Sequence, residues 1–314
     1  MVEADLVLVG RAYIGGSLTR AAVAVDGERI VCVSSPSNAP RAARTIELED
    51  REVLLPGMVD MHVHMRDLGQ SHKEDWFTGT LSALAGGVTF VADMPNTSPP
   101  TNSLEGLETK LEAASKRALV DYGVYAGLPR TLRELEALLD RGVLGLKLYP
   151  GDLENPSLDR ALELCSMERA LVVVHAEDPE ILRREGAVPE AEERALERMI
   201  RYASRIGVRV HFTHLSLRES LQKVLEAKLE GAPVSADCTL HHAFLDETAI
   251  AKLGPLASVS PPLRSERDRV AIFNSISSSL IDAIATDHAP HTIEEKAEGA
   301  PGFPGLELAL PLLL

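Results

Sequence analysis

Gly57-Met58-Val59-Asp60-Met61-His62-Val63-His64 is the stretch that decides the fold. It is a short, largely apolar run that follows Leu55-Pro56 and ends on a His-x-His pair. Apolar runs of this length, bounded by turn residues, read as buried strands. Side chains alternate between faces along a strand, so His62 and His64 should point the same way. Seven similar runs follow: Gly87–Met94, Asp121–Ala126, Leu144–Tyr149, Leu171–His175, Val208–His214, Val234–Cys238 and Ala283–Asp287. Helical stretches lie between them, at Lys73–Ala85, Ser103–Leu119, Leu132–Asp140, Leu158–Glu168, Glu190–Arg205 and Leu217–Glu230. Within Ser103–Leu119, apolar or small residues recur at 104, 107, 111, 114 and 118, a helical period with Ser103 placed as a cap. Eight strands alternating with helices predict an α/β protein, a (β/α)8 barrel of the TIM type over residues 56–314. The last helix is expected to start near Gly305 and to be cut short at Leu314.

Upstream, residues 1–55 lack this rhythm. Asp5–Val9, Ala21–Val25 and Arg29–Val33 read as short strands, punctuated by Gly15-Gly16, Asp26-Gly27 and Ser34–Asn38, with no helix. This stretch predicts a small, partial β-sandwich module, incomplete without a C-terminal return. Seven of the last ten residues are apolar. Left uncovered they would form an exposed patch, so the expectation is a longer chain or a partner that covers them.

The 314 residues carry 47 acidic and 32 basic side chains, a net charge of −15. That balance argues against tracking a phosphate backbone. No apolar run approaches the roughly 20 residues that span a bilayer. The start, Met1-Val2-Glu3-Ala4-Asp5, lacks the basic region of a signal peptide, and a cytoplasmic location is expected. Cys32, Cys165 and Cys238 are odd in number and widely spaced, as free thiols would be.

The chemistry is read from what ends the strands. Lys147 falls at the end of the fourth, His175 the fifth, His214 the sixth and Asp287 the eighth. The gaps after His64 are 83, 28, 39 and 73 residues, which correspond to three, one, one and two β/α units of roughly 30 residues each. Such a rim is where barrels place their active sites. Core packing does not explain it, because buried imidazole, ammonium and carboxylate cost free energy unless paired or metal-bound. Imidazoles and carboxylates suit zinc and similar divalent ions. Among cations the Lys147 ammonium should lose its proton readily, and the neutral amine can take up carbon dioxide as a carbamate that bridges two ions. Taken alone, Lys147 more often suits a structural or phosphate-binding role and Asn96 a turn, while Arg66 equally suits a surface salt bridge and His291 a loop.

The stretch Asp60-Met61-His62-Val63-His64-Met65-Arg66-Asp67-Leu68-Gly69 resembles the metal motif of amidohydrolase-superfamily cyclic amidases, and specifically of the dihydroorotase branch. Supporting matches are Asp93–Thr97, Gly145–Tyr149, His175–Asp178, Thr213–Ser216, Leu240–His242, Pro261–Arg264 and Thr286–Thr292. The resemblance implies a metallo-dependent hydrolase barrel with two divalent ions, zinc by preference. It implies that His62 and His64 bind the more buried ion, His175 and His214 the more exposed one, and carboxylated Lys147 both. Asp287 would be a metal ligand and the proton shuttle, and Arg66, Asn96 and His291 would hold a substrate carboxylate. The implied reaction is the reversible hydrolysis of L-dihydroorotate to N-carbamoyl-L-aspartate in pyrimidine synthesis. A homodimer or a complex with aspartate carbamoyltransferase is the implied assembly. Many members with this Arg-containing motif have aspartate in place of the bridging lysine, so the Lys147 stretch looks more like the lysine-bearing branch. The alternatives are a hydantoinase, dihydropyrimidinase or allantoinase, whose substrates generally lack the carboxylate, and an inactive scaffold. His72, His211 and His288 are read as non-ligands, and His241-His242 as either substrate-side or loop-structural.

Overall fold

The computed structural model describes residues 3–278 and 280–314. The chain divides into two compact units, Met1–Gly57 and Met58–Leu314. In the first, β1 (Glu3–Ile14), β2 (Ser17–Asp26), β3 (Arg29–Ser34) and β4 (Arg41–Glu47) form a sheet in the order β3-β2-β1-β4, and β5 (Val53–Leu54) pairs with β1. The first two strands, at 12 and 10 residues, are much longer than the sequence suggests. Gly15 and Gly16 explain the length. Both adopt positive φ, 58° and 85°, the two-residue turn whose twist matches paired strands, so the ladder runs to Ile14↔Ser17. Ala4, Val7, Val9, Ala22 and Ala24 form this unit's core. Pro36–Asn38 is a single 3-10 turn where no helix was expected.

The second unit is the barrel. Its strands are β6 (Met58–Val63), β7 (Val88–Asp93), β8 (Asp121–Val124) continued by β9 (Ala126–Gly127), β10 (Leu146–Leu148), β11 (Leu171–Val174), β12 (Arg209–Phe212), β13 (Val234–Thr239) and β14 (Ala283–Ala285). All neighbouring pairs are parallel. The ring closes where the Val63–His288 bridge and a 2.7 Å bond from His64 N–H to His288 O join its first and last strands. The strands read as continuous apolar runs because both faces are buried. Val172, Val173 and Val174, for instance, are all 0% exposed.

The helices are α1 (Trp76–Ala85), α2 (Leu104–Arg117), α3 (Leu132–Asp140), α4 (Leu158–Met167), α5 (Pro179–Glu185), α6 (Pro189–Ile206), α7 (Arg218–Leu229), α8 (Leu240–Phe244), α9 (Glu247–Leu253), α10 (Glu266–Ser277), α11 (Ile293–Ala297) and α12 (Ala309–Leu313). Their starts follow capping chemistry. Ser103 accepts the Gly106 N–H, as the sequence predicts. The first helix begins at Trp76 rather than Lys73 because Asp75 forms a capping box with Thr78. At the C-terminus a 3-10 turn, Leu306–Leu308, precedes α12. Leu306 and Ala309 are buried with Val88 and Ala83, while Leu308, Leu312 and Leu314 are exposed. Among the described residues no helix is long and apolar enough to cross a membrane.

One buried ion pair ties α2 to the barrel rim. Lys110 Nζ donates to Asp93 Oδ2 (2.5 Å) and Met94 O (2.7 Å), and Asp93 Oδ1 accepts the Met65 N–H (2.8 Å). Each side chain of the pair is 1% exposed. Removing one partner strands a buried charge, so Lys110→Met is expected to lower unfolding free energy by about 3–5 kcal/mol in urea denaturation. A loss below about 1 kcal/mol would contradict this account of the pair.

Candidate metal centre

The strand ends deliver their polar groups to one place. His62 lies within β6 and Lys147 within β10, both fully enclosed. His64 and His175 each follow the last residue of their strands, and His214 and Asp287 lie two residues beyond theirs. Ring centroids are 5.4 Å apart for His62–His64, 5.3 Å for His62–His214 and 4.5 Å for His175–His214. Asp287 Oδ1 is 3.2 Å from both His62 Nε2 and His64 Nε2.

The turns after the strands are strained. Arg66, His214 and Asp287 adopt positive φ, 57°, 45° and 47°. Such a backbone costs on the order of 1–3 kcal/mol per non-glycine residue and persists only when its surroundings over-determine it. Buried aspartates supply that constraint. Asp60 Oδ1 accepts the His62 and Thr286 N–H groups at 3.2 Å each, and Oδ2 accepts the Thr286 hydroxyl at 2.5 Å. Asp237 Oδ1 accepts the His214 N–H at 2.6 Å, and Asp93 holds Met65 as described above. Sequence reasoning missed these three residues, although each sits on a strand that carries or adjoins one of the converging groups. It also missed Glu177, whose Oε2 is 2.5 Å from His175 Nε2 and fixes that ring from behind.

The donors are chemically ready for a cation. Burial, then the Lys147 charge, pushes His62 well below the usual imidazole range. Burial, then His175 and Lys147, does the same to His214. Burial lowers Lys147 to about 8, against the pull of Asp287 and Asp237. Burial pushes Asp287 up, but His62, His64 and His214 outweigh it and hold the carboxyl well below the ordinary range. His64 Nδ1 is 2.8 Å from Asn96 Oδ1. On its other side the ring's Nε2 stands 3.2 Å from Asp287 Oδ1. Buried Nδ1 atoms of His62 and His214 have no protein partner. The donor atoms of His62, His64 and Asp287 lie within 4.8 Å of one another, which suits a divalent ion.

A cavity of about 270 Å³ opens on these groups, and Arg66, Asn96 and His291 line it too. Arg66 Nη2 is 3.0 Å from His291 Nε2. Asn96 therefore has two neighbours to serve, His64 and the cavity. Glu295 organises the outer side of His291. It also accepts the Thr292 N–H and contacts Lys73 and His72, and these partners outweigh its burial and hold it at about 2. The remaining histidines lie apart. His211 bonds Asp237 and Ser235, His288 bonds Glu74, and exposed His72 meets Glu295. His242 is held by Thr239 and Pro261 O, and His241 packs on Phe303; neither lines the cavity.

Residues 53–310 match the amidohydrolase family. A dihydroorotase of Pyrobaculum aerophilum is 36% identical over 319 residues, covering 100% of this chain and 76% of its own. A dihydroorotase of Aeropyrum pernix is 41% identical over 315 residues, covering 94% and 72%. An allantoinase of Streptomyces avermitilis is 34% identical over 345 residues, covering 100% and 77%. Among solved structures, an L-hydantoinase (dihydropyrimidinase) from Arthrobacter aurescens superposes with a TM-score of 0.90 at 24% identity, over 99% of this chain and 76% of that one, a likeness of fold.

The lowered imidazoles set a pH dependence. Below pH 6.5 the unfolded chain takes up protons that folded His62 and His214 refuse, so stability falls as pH falls. Asp60, pushed by burial to about 6, acts in the opposite sense over the same range. In the presence of chelator, the urea midpoint is expected to drop between pH 7 and pH 5, and less steeply in the His62→Asn/His214→Asn double variant. Equal slopes for the two proteins would contradict the assignment.

Proposed function

The chain belongs to the amidohydrolase family, and from that premise we propose that it is a dihydroorotase, hydrolysing L-dihydroorotate reversibly to N-carbamoyl-L-aspartate. The observation that carries the reading is one cavity that holds both the metal-type donors and Arg66 beside His291. The dihydroorotase relatives support the same substrate. A guanidinium offers a fork matched to a carboxylate, and His291 and Asn96 add polar contacts to that end of the substrate. Gripping the carboxylate orients the reacting amide. The clamp also supplies local positive charge in a chain of net charge −15, which would otherwise repel an anionic substrate.

His62, His64 and Asp287 would hold one divalent ion, and His175 and His214 a second, zinc in both cases by this reading. Lys147 would bridge them as a carbamate: its neutral amine attacks carbon dioxide, an N–C bond forms and one proton leaves. Its lowered pKa, about 8, favours that step. When bound, the ions lower the pKa of water toward neutrality and polarise the ring carbonyl. Asp287 takes the proton of the attacking water and delivers it to the departing ring nitrogen, acting as base and then acid.

The full chain, supplied with zinc and bicarbonate, is expected to hydrolyse dihydroorotate. Asp287→Asn should lower turnover by about 10²–10⁴-fold or more while zinc stays bound. Turnover of hydantoin or allantoin with none of dihydroorotate would overturn the substrate and favour the allantoinase-like reading.

A further inference from the structure

We propose that Lys296 is a positioning residue that fixes the substrate-facing wall of the cavity, an inference that rests on the cyclic amidase reading above. Lys296 stands on α11, nine residues after Asp287. Its side chain turns inward, and the residue is 8% exposed. An ammonium has three N–H donors. Here Nζ donates to Ser258 O (2.8 Å), Ala300 O (2.9 Å) and Gly302 O (3.0 Å), so every donor is used, and each acceptor is a backbone carbonyl. The Phe303 ring lies 5.1 Å from the same nitrogen.

The three carbonyls belong to two separate stretches that form part of the cavity wall. Ser260, Pro301 and Gly302 all line the cavity, and the Gly302 N–H adds a direct bond to Ser258 O at 3.0 Å. Gly302 has φ +141°, and a Cβ there would stand 2.4 Å from Ala289 O. The 300–302 stretch therefore packs closely against Ala289, another lining residue. Pro301 O lies 3.0 Å from His291 Nε2, and Arg66 Nη2 packs 3.0 Å from the same nitrogen, which can donate to the carbonyl or accept from the guanidinium but not both. Contact thus runs from Lys296 through the wall to the carboxylate clamp. None of the hydrogen bonds of Lys296 reaches His62, His64, Lys147, His175, His214 or Asp287. Removing the ammonium would leave carbonyls without their donor. The damage should appear in how the substrate is held, with the metal ligands intact.

The test is steady-state kinetics of the zinc-loaded full chain with dihydroorotate, beside zinc content and thermal midpoint. Lys296→Met is expected to raise KM at least tenfold, to keep kcat within about threefold and to leave zinc content unchanged. Lys296→Arg keeps the charge, but its planar fork cannot converge on three carbonyls around one nitrogen, so it should shift KM in the same direction. It carries the test alone if the methionine variant does not fold. An unchanged KM in a folded variant would overturn the proposal, as would a kcat loss that tracks zinc loss. If the wild-type chain hydrolyses a different cyclic amide, dihydroorotase is the reading that fails. The same split between KM and kcat, measured on that amide, then decides the role of Lys296.

Discussion

Three buried aspartates, Asp60, Asp93 and Asp237, hold the turns from which the metal-type side chains project. Asp60 binds Thr286 with both oxygens, and Asp93 and Asp237 each give one oxygen to a turn, at Met65 N–H and His214 N–H, and the other to Lys110 and His211. A barrel strand can aim one ligand by its pleat alone. His214 and Asp287, two residues past their strands, reach the same point as His62 and Lys147 only because the chain bends sharply there. Positive φ at Arg66, His214 and Asp287 is that bend. Without its anchoring carboxylate a strained turn would relax, and the donor set would spread.

Convergence brings an electrostatic conflict. Four imidazoles and an ammonium packed together repel one another if all are charged. Burial removes much of this conflict by pushing His62, His214 and Lys147 toward their neutral forms. The same shifts would free lone pairs for binding, since a protonated imidazole or amine has none to offer. Asp287 gains from the crowding in the opposite sense and stays ionised. The site is thus poised for cations by its own surroundings, and Arg66 carries positive charge to the cavity edge.

Much of this was legible in the sequence because two periods are strict. The β/α repeat of roughly 30 residues placed His175, His214 and Asp287 at strand ends, and the pleat put His62 and His64 on one side. His214 and Asp287 sit two residues past their strands, so their directions come from turns and not from the pleat. The anchoring aspartates were missed because a carboxylate at a strand end looks the same whether it meets solvent or a buried N–H. Glu177 carried a signal, its place two residues after His175 in the matched motif, but its partner ring was not evident. Lys296 was invisible for another reason: its partners are backbone carbonyls, which any residue supplies. The long β1–β2 hairpin was underestimated because Arg11 and Arg20 interrupt the apolar alternation on strands whose outer face tolerates charge.

The central claim is that four histidines, Lys147 and Asp287 form a single two-ion centre. Its most direct test is the zinc content of the chain loaded with zinc and bicarbonate and freed of loose metal. The account predicts close to two ions per chain in the wild type, and a clear drop below that value in Lys147→Met. No retained zinc, or an unchanged two ions in Lys147→Met, would contradict it.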